Sequence, residues 1–114
     1  MKKGTIVLTP FPFTDLSGYK IRPAVVISSS ARKGDDVIIA FISSVVVELV
    51  ETDLPIKKEY SNFKRTGLKV NSVIKLDKLA TITKGIIFGS LGNLSDLLIK
   101  ELNERLKIAL GLNS

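Results

Sequence analysis

The run Val37 to Val47 (VIIAFISSVVV) constrains this chain more than any other stretch, because it carries no charge and most of its residues are β-branched. Its length would permit a helix. Branched side chains, however, lose rotamer freedom in a helix and pack well on a pleated surface. Continuous apolarity of this kind predicts a central strand covered on both faces, so a sheet has to be assembled around it. Gly4 to Thr9 (GTIVLT) reads as a short strand closed by Pro10 and Pro12, which cannot donate to a central ladder. Phe13 to Lys20 reads as a turn-rich loop with Asp, Ser and Gly, and Ala24 to Ser29 as a second strand.

Beyond Glu51 the pattern weakens to a strand around Ile56 to Lys58 and a polar, basic loop ending at Gly67. Ser72 to Leu76 (SVIKL) alternates like a half-buried strand, and Ala80 to Thr83 continues it after a kink near Asp77. Gly85, Gly89 and Gly92 then punctuate a short turn-rich segment. The last element is the clearest. Ser95 is an N-cap, and Leu98, Leu102, Arg105 or Leu106 and Ala109 form one stripe. Gly111 stands at the C′ position, and Leu94 and Ile99 make a hydrophobic staple. Many short strands followed by one terminal helix predict a mainly β or α+β domain, a small curved antiparallel sheet or open barrel with the helix packed on it. At 114 residues the chain fits one domain, residues 1–114, able to bury a core of its own.

Composition narrows the chemistry. The chain has no Cys and no His, which excludes a disulfide framework, a thiolate or imidazole metal site and any His-based catalytic triad. No phosphate-binding glycine loop is present, and neither a cofactor nor a metal is expected. No apolar run is long enough to cross a bilayer, and the basic start is broken at once by polar residues and proline, so a cytoplasmic protein with no membrane partner is the expectation. Seventeen Lys and Arg against eleven Asp and Glu give a net charge of +6, which favours an anionic partner. The segment from Ser95 onward is neutral, with Lys100, Arg105 and Lys107 set against Asp96, Glu101 and Glu104, so the whole excess lies in residues 1–94.

RNA strand cleavage is a reaction these residue types can support, because the ribose 2′-hydroxyl is a built-in nucleophile and positioning supplies much of the rate. Negative charge then builds on the phosphorane oxygens, and a planar guanidinium matches it with paired donors. Arg22 has that character. Pro23 biases it toward an extended conformation at the base of a strand, although a solvated arginine flanking a strand would look the same. Ser43 and Ser44 interrupt the apolar run. They either satisfy backbone carbonyls or, if strands two and three pair, bring a hydroxyl to the base of Arg22. In Lys75-Leu76-Asp77, alternation puts Lys75 and Asp77 on one face, where a plain surface ion pair is the simpler reading.

Taken together, these residues resemble the MazF/PemK family of toxins from type II toxin–antitoxin modules. The features are the Gly4 to Leu8 strand, the PFPFTDLSG loop (Pro10 to Gly18), Lys20-x-Arg22-Pro23 with its β-branched run, Ile42-Ser43-Ser44, Lys75-x-Asp77 and the helix end Ala109 to Leu112. The resemblance implies an SH3-like barrel, a homodimer and a metal-independent, sequence-selective endoribonuclease acting on single-stranded mRNA and restrained by a cognate acidic antitoxin. It assigns charge stabilisation to Arg22 and the strand-three hydroxyl to Ser43, where relatives usually carry threonine. Lys75 stands where many relatives carry arginine. Tyr19, Lys20, Ser44, Lys64, Arg65, Lys69, Lys75 and Asp77 become candidate RNA contacts, with Tyr19 or Phe63 stacking a base. The alternatives are a non-catalytic RNA- or protein-binding module of the same fold, or a toxin acting on a protein such as a topoisomerase.

Overall fold

The computed structural model describes residues 1–12, 19–44 and 48–112, apart from the side chains of Pro12 and Tyr19. The turn-rich loop at 13–18 and the end of the apolar run at 45–47 lie outside the described residues. Six strands form one antiparallel sheet: β1 (Thr5–Pro12), β2 (Tyr19–Val26), β3 (Asp36–Ser43), β4 (Asp53–Ile56), β5 (Ser72–Thr83) and β6 (Gly89–Asn93). Their spatial order is β4-β5-β3-β2-β1-β6, and a helix, α1 (Asp96–Leu110), follows the last strand. The sheet curls into an open half-barrel.

Strand β3 is central, as its composition requires, and the two faces of its apolar run enter different cores. Ala40 and Ile42 join Ile6, Val25, Leu54, Ile56, Ile74 and Leu76 beneath Leu98 and Leu102 of α1. On the opposite face Val37 and Ile39 pack with Val7, Ala24 and Val26. The helix begins at Ser95, whose Oγ accepts from Leu98 N, and ends at Gly111 in the left-handed conformation (φ +70°). Leu94 and Ile99 both join the helix-side core. The helix therefore covers one face of the sheet only.

Several element boundaries differ from the sequence reading, each for a local reason. Strand β1 runs on through Pro10 and Pro12, paired to Ile21 and Tyr19 of β2. The Leu8 carbonyl accepts from Phe88 N on the β6 side, so by alternation Pro10 and Pro12 direct their missing donors to that side too. There β6 pairs only with Thr5 to Leu8, and no ladder bond is lost. Strand β2 starts earlier and ends earlier than Ala24 to Ser29. Pro23 is tolerated inside it because the β3 ladder begins only at Ala24. The strand expected at Ile56 to Lys58 is Asp53–Ile56, and the basic loop contains a single 3₁₀ turn, Lys64–Thr66.

The kink near Asp77 is a bulge. Ala40 faces Leu79 while the next residue, Phe41, faces Lys75, which leaves residues 76–78 as extra length in β5. The glycine-punctuated segment contains strand β6, which the sequence does not announce. Its Gly92 is required by contact: a Cβ there would lie 2.1 Å from the Arg65 carbonyl oxygen, so the 3₁₀ turn rests directly on β6 backbone.

Candidate functional site

Strand register assembles the site on the sheet face away from α1. Cross-strand partners share a face. Thr9 is opposite Arg22, Phe11 opposite Lys20, Ala24 opposite Phe41, and Phe41 opposite Lys75, which in turn faces Asp53. Continuing the β2–β3 register by two residues beyond Ala24 and Phe41 brings Ser43 level with Arg22. These side chains meet in a cleft of about 260 Å³ lined by Phe11, Arg22, Phe41, Ile42, Ser43, Lys75 and Lys78. Arg22 and Ser43 are both half-buried there. Phe11 and Phe41 pack edge to face, with ring centroids 4.5 Å apart, and form an apolar wall.

Arg22 also lines a second cleft of about 370 Å³, together with Pro23, Ile42, Ser44, Lys69, Ser72 and the apolar side chains of Leu8, Leu68, Val70 and Leu91. The guanidinium-bearing residue thus stands between a cationic cleft and a more apolar one. Extended phosphodiester chains have this alternation of anion and flat apolar base.

The cation over the first cleft is held from below. Lys75 Nζ lies 2.8 Å from Asp53 Oδ1, off the line a hydrogen bond prefers, so the contact is an ion pair. Asp53 Oδ2 accepts from Val50 N at 3.0 Å, and the Asp53 side chain is 1% exposed while that of Lys75 is 24% exposed. This corrects the expectation that Lys75 pairs with Asp77. Residues 76–78 bulge out of register, period-two alternation fails there, and Asp77 ends exposed and outside both clefts.

The remaining candidates separate. Lys20 is exposed on β2 opposite Phe11, and the Tyr19 side chain is not described. Ser44 and Lys69 belong to the second cleft. Lys64 and Arg65 line neither cleft. Arg65 directs Nε and Nη2 to Asn93 Oδ1 at 3.0 and 2.9 Å, so it ties the 3₁₀ turn to β6 instead of reaching the site. Phe63 is half-buried against the helix-side core and lines neither cleft. Sequence reasoning missed Phe11, Phe41, Lys78 and Asp53. The first two look like ordinary strand aromatics, Lys78 needs the bulge to swing it to the cleft, and Asp53 lay in a segment whose pattern was too weak to read.

A family model for the PemK-like, MazF-like toxin of type II toxin–antitoxin systems matches residues 2–110, nearly the whole chain. The chain belongs to this toxin family. Solved structures share the fold of this toxin. An endoribonuclease in complex with its cognate antitoxin from a mycobacterial species superposes with a TM-score of 0.79 at 21% identity, covering 100% of this chain and 98% of the other. The Mycobacterium tuberculosis toxin MazF-mt6 gives 0.77 at 21% identity, with 96% and 99% covered. The MazE-MazF complex from Deinococcus radiodurans gives 0.76 at 16%, with 99% and 97% covered. No curated protein matches the chain. Among the described residues of the toxin, no helix is long and apolar enough to cross a membrane, and no three His, Cys, Asp or Glu side chains cluster as metal ligands.

Proposed function

We propose that this toxin is a metal-independent, sequence-selective endoribonuclease that cleaves single-stranded mRNA in the cytoplasm by attack of the ribose 2′-hydroxyl on the adjacent phosphate. The observation that carries this reading is the meeting of Arg22 and Ser43 in one cleft whose other charged residues, Lys75 and Lys78, are cations. The 2′-oxygen bonds to phosphorus, the 5′-oxygen leaves, and the products are a 2′,3′-cyclic phosphate and a 5′-hydroxyl. Arg22 stabilises the charge on the phosphorane oxygens, and Ser43 hydrogen-bonds a phosphate oxygen or orients the 2′-hydroxyl. Ser44 and Lys69 hold the flanking chain in the second cleft, while Lys20 extends the contact along β2.

A homodimer is part of the proposal, as is a cognate antitoxin. An acidic antitoxin segment is suited to the same cations and would inhibit by occupying the RNA path. The test is cleavage of single-stranded RNA in excess EDTA, with the termini identified by end-labelling. Arg22→Ala should cost about a hundredfold in kcat, on the order of 3 kcal/mol. Full activity in that variant would remove Arg22 from the chemistry. Salt-sensitive binding without any product would leave a binding module.

A further inference from the structure

Thr9 is fully buried, and its hydroxyl has no hydrogen-bond partner. Strand side chains normally bury a hydroxyl only against a carbonyl or another polar group, and an unsatisfied one is a cost the folded protein has to offset elsewhere. The register limits what can ever satisfy it. On its own face the side chains around it are Val7 and Phe11 along β1, Ala24, Arg22 and Lys20 across on β2, and, on the β6 side, Ser90, which is exposed and paired with Val7. Val7, Phe11 and Ala24 carry no side-chain polar atom. Lys20 is exposed at the diagonal position, whereas Arg22 lies directly opposite and is half-buried. Because Thr9 has no exposed surface, a bound RNA acts on it through a neighbour, and Arg22 is the polar neighbour directly opposite it and lining the cleft.

We infer that Thr9 is a positioning residue whose buried hydroxyl accepts a guanidinium N–H of Arg22 when an RNA phosphate occupies the cleft. The inference rests on the ribonuclease reading above. A guanidinium has five donors in a fixed plane, and two parallel ones engage the phosphate. A third, held by Thr9 from beneath, sets the plane of the fork. The hydroxyl left idle in the free protein is satisfied only in the bound arrangement. The orientation of the fork matters most when charge builds on the phosphorane oxygens, where misaligned donors lose more than they do against the ground-state phosphate, so the contact acts on kcat more than on affinity. Thr9 makes no contact with substrate.

The test compares Thr9→Val, which keeps shape and removes the hydroxyl, with Thr9→Ser, which keeps the hydroxyl and removes the methyl. Both are assayed on the same RNA beside Arg22→Ala. Thr9→Val should lose about tenfold in kcat with KM within about twofold, while its thermal midpoint stays level or rises because an unsatisfied buried group is gone. Thr9→Ser should recover most of kcat. Thr9→Val at parental kcat, or Val and Ser variants equally impaired, overturns the inference while leaving Arg22 in place. If Arg22→Ala cleaves as the parent does, the ribonuclease reading itself falls.

Discussion

Asp53 and Lys75 show how much a single buried carboxylate can organise. Its side chain is 1% exposed, takes one backbone donor from Val50, and holds the Lys75 ammonium at 2.8 Å over the cleft. Removing either partner should therefore cost unequal amounts. Lys75→Met strands a buried charge and should lower stability by about 3 kcal/mol. Asp53→Asn keeps an acceptor for Val50 and releases a lysine that can reach water, and should cost about 1 kcal/mol. Equilibrium urea unfolding of the two variants measures the difference, and equal losses would show that the pair is not asymmetric in this way. The same pairing gives the Lys75 ammonium a fixed place at the cleft. An ammonium on a flexible stem is a poorly oriented donor unless something fixes it.

At the scale of elements, the Lys64–Thr66 turn packs backbone to backbone on β6 at Gly92, beside the Arg65–Asn93 hydrogen bonds. Adding a methyl at Gly92 would drive it to 2.1 Å from the Arg65 carbonyl oxygen, whereas a Cβ at Gly89 on the same strand meets nothing within 4 Å. Gly92→Ala should lose about 3 kcal/mol, and Gly89→Ala should change stability by less than about 1 kcal/mol. Thermal unfolding of the pair distinguishes a packing requirement from a generic dislike of glycine replacement in strands. Gly92→Ala also bears on the second cleft, since Gly67 and Leu68 follow this turn and line that cleft with Leu91 of β6.

For the whole molecule, charge is segregated. The helix-bearing segment from Ser95 is neutral, and the +6 excess belongs to the part of the chain that builds the sheet and both clefts. Arg22, Lys69, Lys75 and Lys78 line those clefts, so RNA binding should release counter-ions. In Arg22→Ala, used to separate binding from cleavage, the three remaining lysines should give a log–log salt slope of about −2 for single-stranded RNA. Filter binding across a salt series measures it. A slope near zero would mean that the clefts do not carry the phosphate contacts.

Much of this was legible from local pattern alone. The amphipathic C-terminal helix with its Ser95 cap, the central β3 and the extended Arg22-Pro23 unit follow from periodicity and backbone sterics, which act over a few residues and are written in order along the chain. Strand β6 was hidden because its glycines read as turns, and the reason for one of them, Gly92, is a carbonyl from another element. Register and bulge were decided only in three dimensions. They set Ser43 level with Arg22, separate Lys75 from Asp77 and join it to Asp53, and put Thr9 opposite the arginine, because pairing between distant strands depends on how two faces pack at once and no single stretch of sequence encodes it.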